Sequence, residues 1–208
     1  LIYSDSIPLL AIIFKIINFL LPDNFQYFSI WIIICIYLQL LFSYLIIFNI
    51  TNNYKYSLLS SVFFALATIF IHRMGINLSL FGQWIILLYF YTEFISNKKK
   101  LFFKNIVILL SLTIHFYFTM MLLMIFFIEK AYDLIYRKIS LKIFFKESVI
   151  IVILTLFLMY LLGYFSIGFD DGLGWGYGYY NLNLNSFFNP LGRTTQDIDW
   201  SIFLPVQS

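Results

Sequence analysis

Residues able to do chemistry are few in this chain, and they fall in four places. Asp5 stands in YSDSIP, just ahead of a long apolar run. HRMGINLSLFGQW sets His72, Arg73, Asn77, Gln83 and Trp84 within thirteen residues. His115 interrupts another apolar run, in HFYF. Asp170 and Asp171 lie near the start of GFDDGLGWGYGYYNLNLNSFFNP, which runs from Gly168 to Pro190.

Each type has a specific use and a plainer one. A carboxylate at Asp5, Asp170 or Asp171 serves as a general base or ligates a divalent cation. Asp5 serves equally as a helix N-cap, and Asp170-Asp171 as a solvated turn. Arg73 can grip a phosphate, and Asn77 or Ser79 can cap the next helix and leave an anion-friendly N-terminus. Against this, Arg73 and Trp84 suit an interfacial anchor, and spacing alone favours the anchor. His115 shares an i, i+4, i+8 face with Ser111 and Thr119, which places an imidazole beside a polar cavity or in a packing seam. Tyr177, Tyr179 and Tyr180 could stack on sugar rings while Asn181 and Asn183 bond hydroxyls; the plain use of those tyrosines is a membrane-interface belt. Glycines at 168, 172, 174, 176 and 178 exclude a stable helix there. No Gly-Lys-Ser/Thr follows them, so they form no P-loop, and they match no dinucleotide fingerprint.

The elements that must position these residues are apolar. The 208 residues are 62% hydrophobic and 11% charged, with mean hydropathy +0.91. Soluble domains carry about 25% charged residues, so lipid is the solvent this composition fits. A net charge of +3, with the cations in loops, suits anionic headgroups and makes no case for nucleic acid. The single cysteine, Cys35, excludes a disulfide within the chain. Six runs read as transmembrane helices: 7–21, 27–50, 56–71, 77–95, 106–128 and 148–165. Backbone groups in lipid must bond internally, and the runs are too long for barrel strands. The fold expected is an all-α, polytopic bundle of about six spans over 1–166, followed by an irregular extracytoplasmic segment over 167–208. No signal peptide can be judged, because a chain running from Leu1 to Ser208 reads as a fragment.

Within this frame, 129–147 reads as a helix lying on the bilayer surface. Pro8 fits the first turn of the first span, capped by Ser6 or Asp5, and Lys15 snorkels from it. Cys35, Gln39 and Ser43 make one stripe, and Ser57, Ser61, Ala65 and Thr68 another. Such stripes read as seams with interhelical hydrogen bonds. One span separates Lys98–Lys104 from the cations of 129–147, so both cannot obey the positive-inside rule. The expectation is that 129–147 lies inside, and that Asp5 and the glycine-rich segment lie outside.

At YSDSIPLLAIIFK, NFQYFSIWIIICIYLQLLFSYL, HRMGINLSLFGQW, HFYF and GYGYYNLNLNSFFNP, the chain resembles a bacterial family of polytopic inner-membrane proteins similar to the GT-C class of membrane glycosyltransferases. The resemblance covers nearly the whole chain, and SDSIPL and the GYGYY segment are its most specific pieces. It implies sugar transfer from a polyprenyl-phosphate donor at the outer face, an acidic catalytic residue and a divalent cation. It puts the first large outer loop upstream of Leu1, matches Asp5 to a later acidic motif and Arg73 to a basic one. Gln83 stands where a Gly-His-Trp-like motif has histidine. A glycolipid transporter or flippase, with His115 and Gln39 as its hints, and a repeat-unit polymerase are the competing expectations.

Overall fold

The computed structural model describes residues 7–22 and 25–165. The chain divides into two units, Leu1–Phe165 and Ser166–Ser208, and the described residues all belong to the first. They are all-helical, without a strand among them. In order come α1 (Pro8–Ile16), α2 (Phe28–Thr51), α3 (Tyr54–Ala65), α4 (Thr68–Ile76), α5 (Trp84–Tyr91), α6 (Asn97–Leu112), α7 (Phe116–Ile135) and α8 (Leu141–Leu161).

The expected six spans are not what forms. Two helices, α2 and α8, are long and apolar enough to cross a membrane; α3 with α4 makes a third only if their 48° bend counts as one broken span. At about 1.5 Å per residue, the nine residues of α1 reach far short of the ~30 Å hydrocarbon core. The run at 77–95 yields only the eight-residue α5, between 3-10 turns at Ser79–Phe81 and Thr92–Phe94. The run at 106–128 breaks at Thr113, Ile114 and His115, which separate α6 from α7. Ile7, not Ser6 or Asp5, occupies the N-cap of α1, with Pro8 as the first helical residue.

The surface helix expected at 129–147 is instead the far end of a hairpin. α7 continues to Ile135, Arg137 turns the chain with φ of 57°, and Ser140 caps α8 through Ile143 N at 3.4 Å. Asp133 O accepts from Lys138 N at 2.8 Å and closes the turn.

Pair contacts give the direction of each helix. Ser111 meets Thr119 at 2.9 Å, and Lys104 meets Glu129 at 2.5 Å, so α6 and α7 are antiparallel neighbours. Lys130 meets Glu147 at 2.5 Å, and the Phe116 and Tyr164 rings lie 6.1 Å apart, so α8 runs back along α7. The orientation dilemma therefore dissolves. Because the fifth run reverses at its break, Lys99–Lys104 and the 129–147 turn lie at the same end. Ten of the thirteen Lys and Arg residues fall on segments at that end.

The α2 stripe is buried as read, with Trp31 added to Cys35, Gln39 and Ser43. Its hydrogen bonds differ from those expected. Ser43 donates to Gln39 O, Ser57 to Asn53 O and Ser61 to Leu58 O, each within its own helix. Thr68 starts α4 and is exposed. The Ser111–Thr119 bond does join two helices, across a hairpin rather than along one face. Outside the core, Ile33, Phe63, Ile153, Phe157 and Leu161 are bare. Among the described residues nothing covers them, and lipid is the medium that can.

α8 ends in a Schellman motif. Gly163 has φ of 79°, its N–H bonds Tyr160 O at 3.1 Å, and Tyr164 N bonds Met159 O at 3.0 Å. Gly163→Ala forces a Cβ into left-handed backbone. It should cost about 1 kcal/mol, read as lower stability to thermal unfolding followed by circular dichroism in micelles.

Candidate functional site

The end of the bundle opposite the lysines is a junction of broken helices. α4 closes at Asn77, whose N–H bonds Arg73 O at 3.1 Å. The chain then makes the 3-10 turn Ser79–Phe81, and Phe81 stacks on Phe70 with centroids 4.1 Å apart. Gly82 follows, pressed between α2 and the α6–α7 break. A Cβ there would lie 2.8 Å from Ile114 Cγ2 and 3.0 Å from Trp31 Cζ2, so only glycine lets the turn seat so closely. Trp31 Nε1 donates to Leu78 O at 2.7 Å and pins the turn to the start of α2.

The α6–α7 break is the other half of the junction. Thr113 O accepts from Leu9 N at 2.8 Å, and Leu112 O accepts from the Tyr164 hydroxyl at 3.2 Å. The first turn of α1 and the end of α8 therefore both rest on this break. His115 is the N-cap of α7 in extended backbone, not a residue within a helix. Its Nδ1 accepts from Tyr117 N at 3.2 Å. That ring is half-buried, with the Tyr117 centroid 4.9 Å away.

The structure thus gathers the 72–84 segment and His115 at one junction, through the contact of Gly82 with Ile114. Arg73, Asn77 and Gln83 are half-buried. Asn77 ends α4 rather than capping α5, and Gln83 takes the N-cap of α5 without a side-chain bond, so the anion-binding N-terminus expected of Asn77 or Ser79 does not form. Trp84 is not at a surface. It is buried in the core, 6.2 Å centroid to centroid from Phe42. Asp5, Asp170, Asp171, Tyr177, Tyr179, Tyr180, Asn181 and Asn183 lie outside the described residues. Among the described residues no three His, Cys, Asp or Glu side chains gather as a metal site.

Sequence reasoning missed the polar cluster at the lysine end. Lys104, almost fully buried, pairs with both Glu93 and Glu129. Tyr89 donates to Glu129 Oε2 at 2.9 Å, and Lys100 meets Glu93 at 3.0 Å. These side chains tie α5, α6 and α7 together. The signal was available: Glu93, Lys104 and Glu129 are charges set in or beside apolar runs, where an unpaired charge is costly. Burial alone would raise the Glu93 carboxyl, but hydrogen bonds from Lys104 and Lys100 outweigh it and hold the group below its ordinary 4.5. A depressed folded value means the stabilisation is present above pH 4.5 and is lost as pH falls through the lowered value. Lys104→Met should cost about 2–3 kcal/mol, less than a fully buried pair because Glu93 is half-exposed. It should also flatten the loss of stability below pH 4.5. Acid titration of both proteins, followed by circular dichroism in micelles, checks the cost and the flattening together.

The chain belongs to the family described as a domain of unknown function, DUF6311, whose model matches residues 1–208. No curated protein and no solved structure matches it.

Proposed function

We propose that the chain is the membrane-embedded part of a glycosyltransferase-like protein, multi-pass in the bacterial inner membrane. It would transfer a sugar from a polyprenyl-phosphate donor to a cell-surface glycan at the outer face. The observation that carries this reading is the asymmetry of the bundle. Cations crowd one end, the cytoplasmic side under the positive-inside rule. The opposite end collects Arg73, Asn77, Gln83 and His115 around a glycine-tight junction. In this reading Arg73 steadies the donor phosphate. Asp5, which the resemblance matches to an acidic motif, takes the proton of the attacking hydroxyl. A divalent cation is part of the proposal through Asp5, Asp170 or Asp171, and the tyrosine-asparagine segment would hold sugar rings.

A transporter or flippase would need a polar route through the bundle. Its two hints do not line one: Gln39 is closed inside the core, and His115 caps a helix at the junction. The transferase reading therefore leads.

Orientation is testable first. Cys35 is buried and gives little background, so cysteines placed at Lys99 and Lys138 should both react only from the cytoplasmic side with an impermeant maleimide. Labelling of either in intact cells would reverse the bundle. The chemistry is tested in the full-length protein supplied with polyprenyl-phosphate-linked sugar. Asp5→Asn should lower transfer by roughly 10²-fold or more while the helical signal is kept. Transfer at the original rate would remove Asp5 from the mechanism.

A further inference from the structure

α1 is too short to cross a bilayer, yet most of its outer surface is apolar. Ile12, Ile13 and Ile16 are exposed, as are Phe19 and Leu20 in the 3-10 turn Asn18–Leu20, with Phe19 81% bare. A contiguous bare apolar patch marks a surface that something other than water covers.

Two points on α1 are fixed. Leu9 N bonds Thr113 O at 2.8 Å, at the α6–α7 break. The Phe14 ring stacks on Tyr27 at 5.7 Å, and Tyr27 is the N-cap of α2. Both anchors belong to the end of the bundle away from the lysines, so α1 lies across that end rather than along the spans. At the same end Ile33 on α2 and Leu161 on α8 are bare. The lipid-facing surface of the spans therefore reaches the level of α1.

The order of side chains around α1 gives its roll, since successive residues turn by about 100°. Leu10 and Phe14 face the core, with Leu10 buried and Phe14 half-buried. Ile12 and Ile16 fall on the opposite side. Lys15 and Ile13, two positions apart, fall about 160° from each other on the two margins between. One margin is thus a cation and the other an isoleucine. A helix wholly in hydrocarbon would carry that charge at high cost. A helix wholly in water would leave three isoleucines wet. Lying flat at headgroup depth satisfies both, with Lys15 toward the phosphates and Ile13 toward the acyl chains.

We propose that residues 8–20 lie in the plane of the membrane surface and dock on the bilayer itself. Ile12, Ile16, Phe19 and Leu20 enter the upper acyl region of the leaflet at the junction end. The docking does not depend on Asp5, Arg73 or sugar transfer, so its failure would leave the transferase reading untouched.

The test places a nitroxide, one position at a time, on cysteines introduced at Ile12, Ile13, Lys15, Ile16 and Phe19. The full chain is held in vesicles of equimolar phosphatidylcholine and phosphatidylglycerol. All these positions are exposed, so the label displaces no packed side chain, and Cys35 is buried. Relaxation by oxygen against a water-soluble nickel chelate reads the depth of each label. Ile13 should lie roughly 10 Å deeper than Lys15, the width of a helix, with Ile12 and Ile16 between them at similar depths. An upright helix would separate Ile13 from Lys15 by only about 3 Å, with depth changing steadily from 12 to 16. That result would overturn the proposal. So would nickel contact at Ile12 and Ile16 as high as at Lys15, which would put water on that face. Immobile labels shielded from both reagents would also overturn it, because a protein segment or a second copy would then cover the face.

Discussion

Where a helix breaks in apolar surroundings, the carbonyls it releases must find a donor other than water. This chain breaks helices repeatedly, and the two breaks at the junction, 77–83 and 113–115, are answered by distant residues. Leu78 O takes the Trp31 indole, Leu112 O takes the Tyr164 hydroxyl, and Thr113 O takes the Leu9 amide. These bonds cross 47, 52 and roughly a hundred positions of sequence. The requirement to satisfy loose backbone groups thus becomes the means by which α1, α2, α6, α7 and α8 are brought together. The junction is built of obligations, and its polar side chains are placed by them.

The lysine end is held by a different force. Lys104 lies between two carboxylates, with the Tyr89 hydroxyl on one of them. Charges withdrawn from water persist only when paired and hydrogen-bonded. This cluster fixes α5 against α6 and α7 at one end, while the backbone bonds fix the other. A bundle fastened separately at its two ends can carry a chemically distinct surface at each. The segregation of cations to one end gives that difference a direction relative to a membrane.

Much of the fold was legible. The second run was read as 27–50 and forms Phe28–Thr51, because nothing in it competes with an apolar helix. The buried stripe Cys35, Gln39, Ser43 was legible for the same reason, since i+4 spacing fixes a shared face. The break at 113–115 was not. It carries no proline or glycine, and Thr, Ile and His are all tolerated inside helices. What stops the helix there is the set of partners waiting for its carbonyls, and those lie at Leu9 and Tyr164. The same holds for Gly82: the sequence displays a glycine beside a helix start, while the reason for it is the approach of Trp31 and Ile114.

By itself the sequence determined the class of the molecule: helices, lipid-compatible surfaces and a handful of polar residues that could do chemistry. Composition and helical spacing are local properties, and they suffice for that. The tertiary structure alone decided how many runs remain whole, and that two lysine-bearing segments share one end. It also decided that Gly82 seats against Ile114 while Trp84 turns into the core. Those outcomes depend on hydrogen bonds and ion pairs between residues far apart in the chain, whose partners no local pattern specifies.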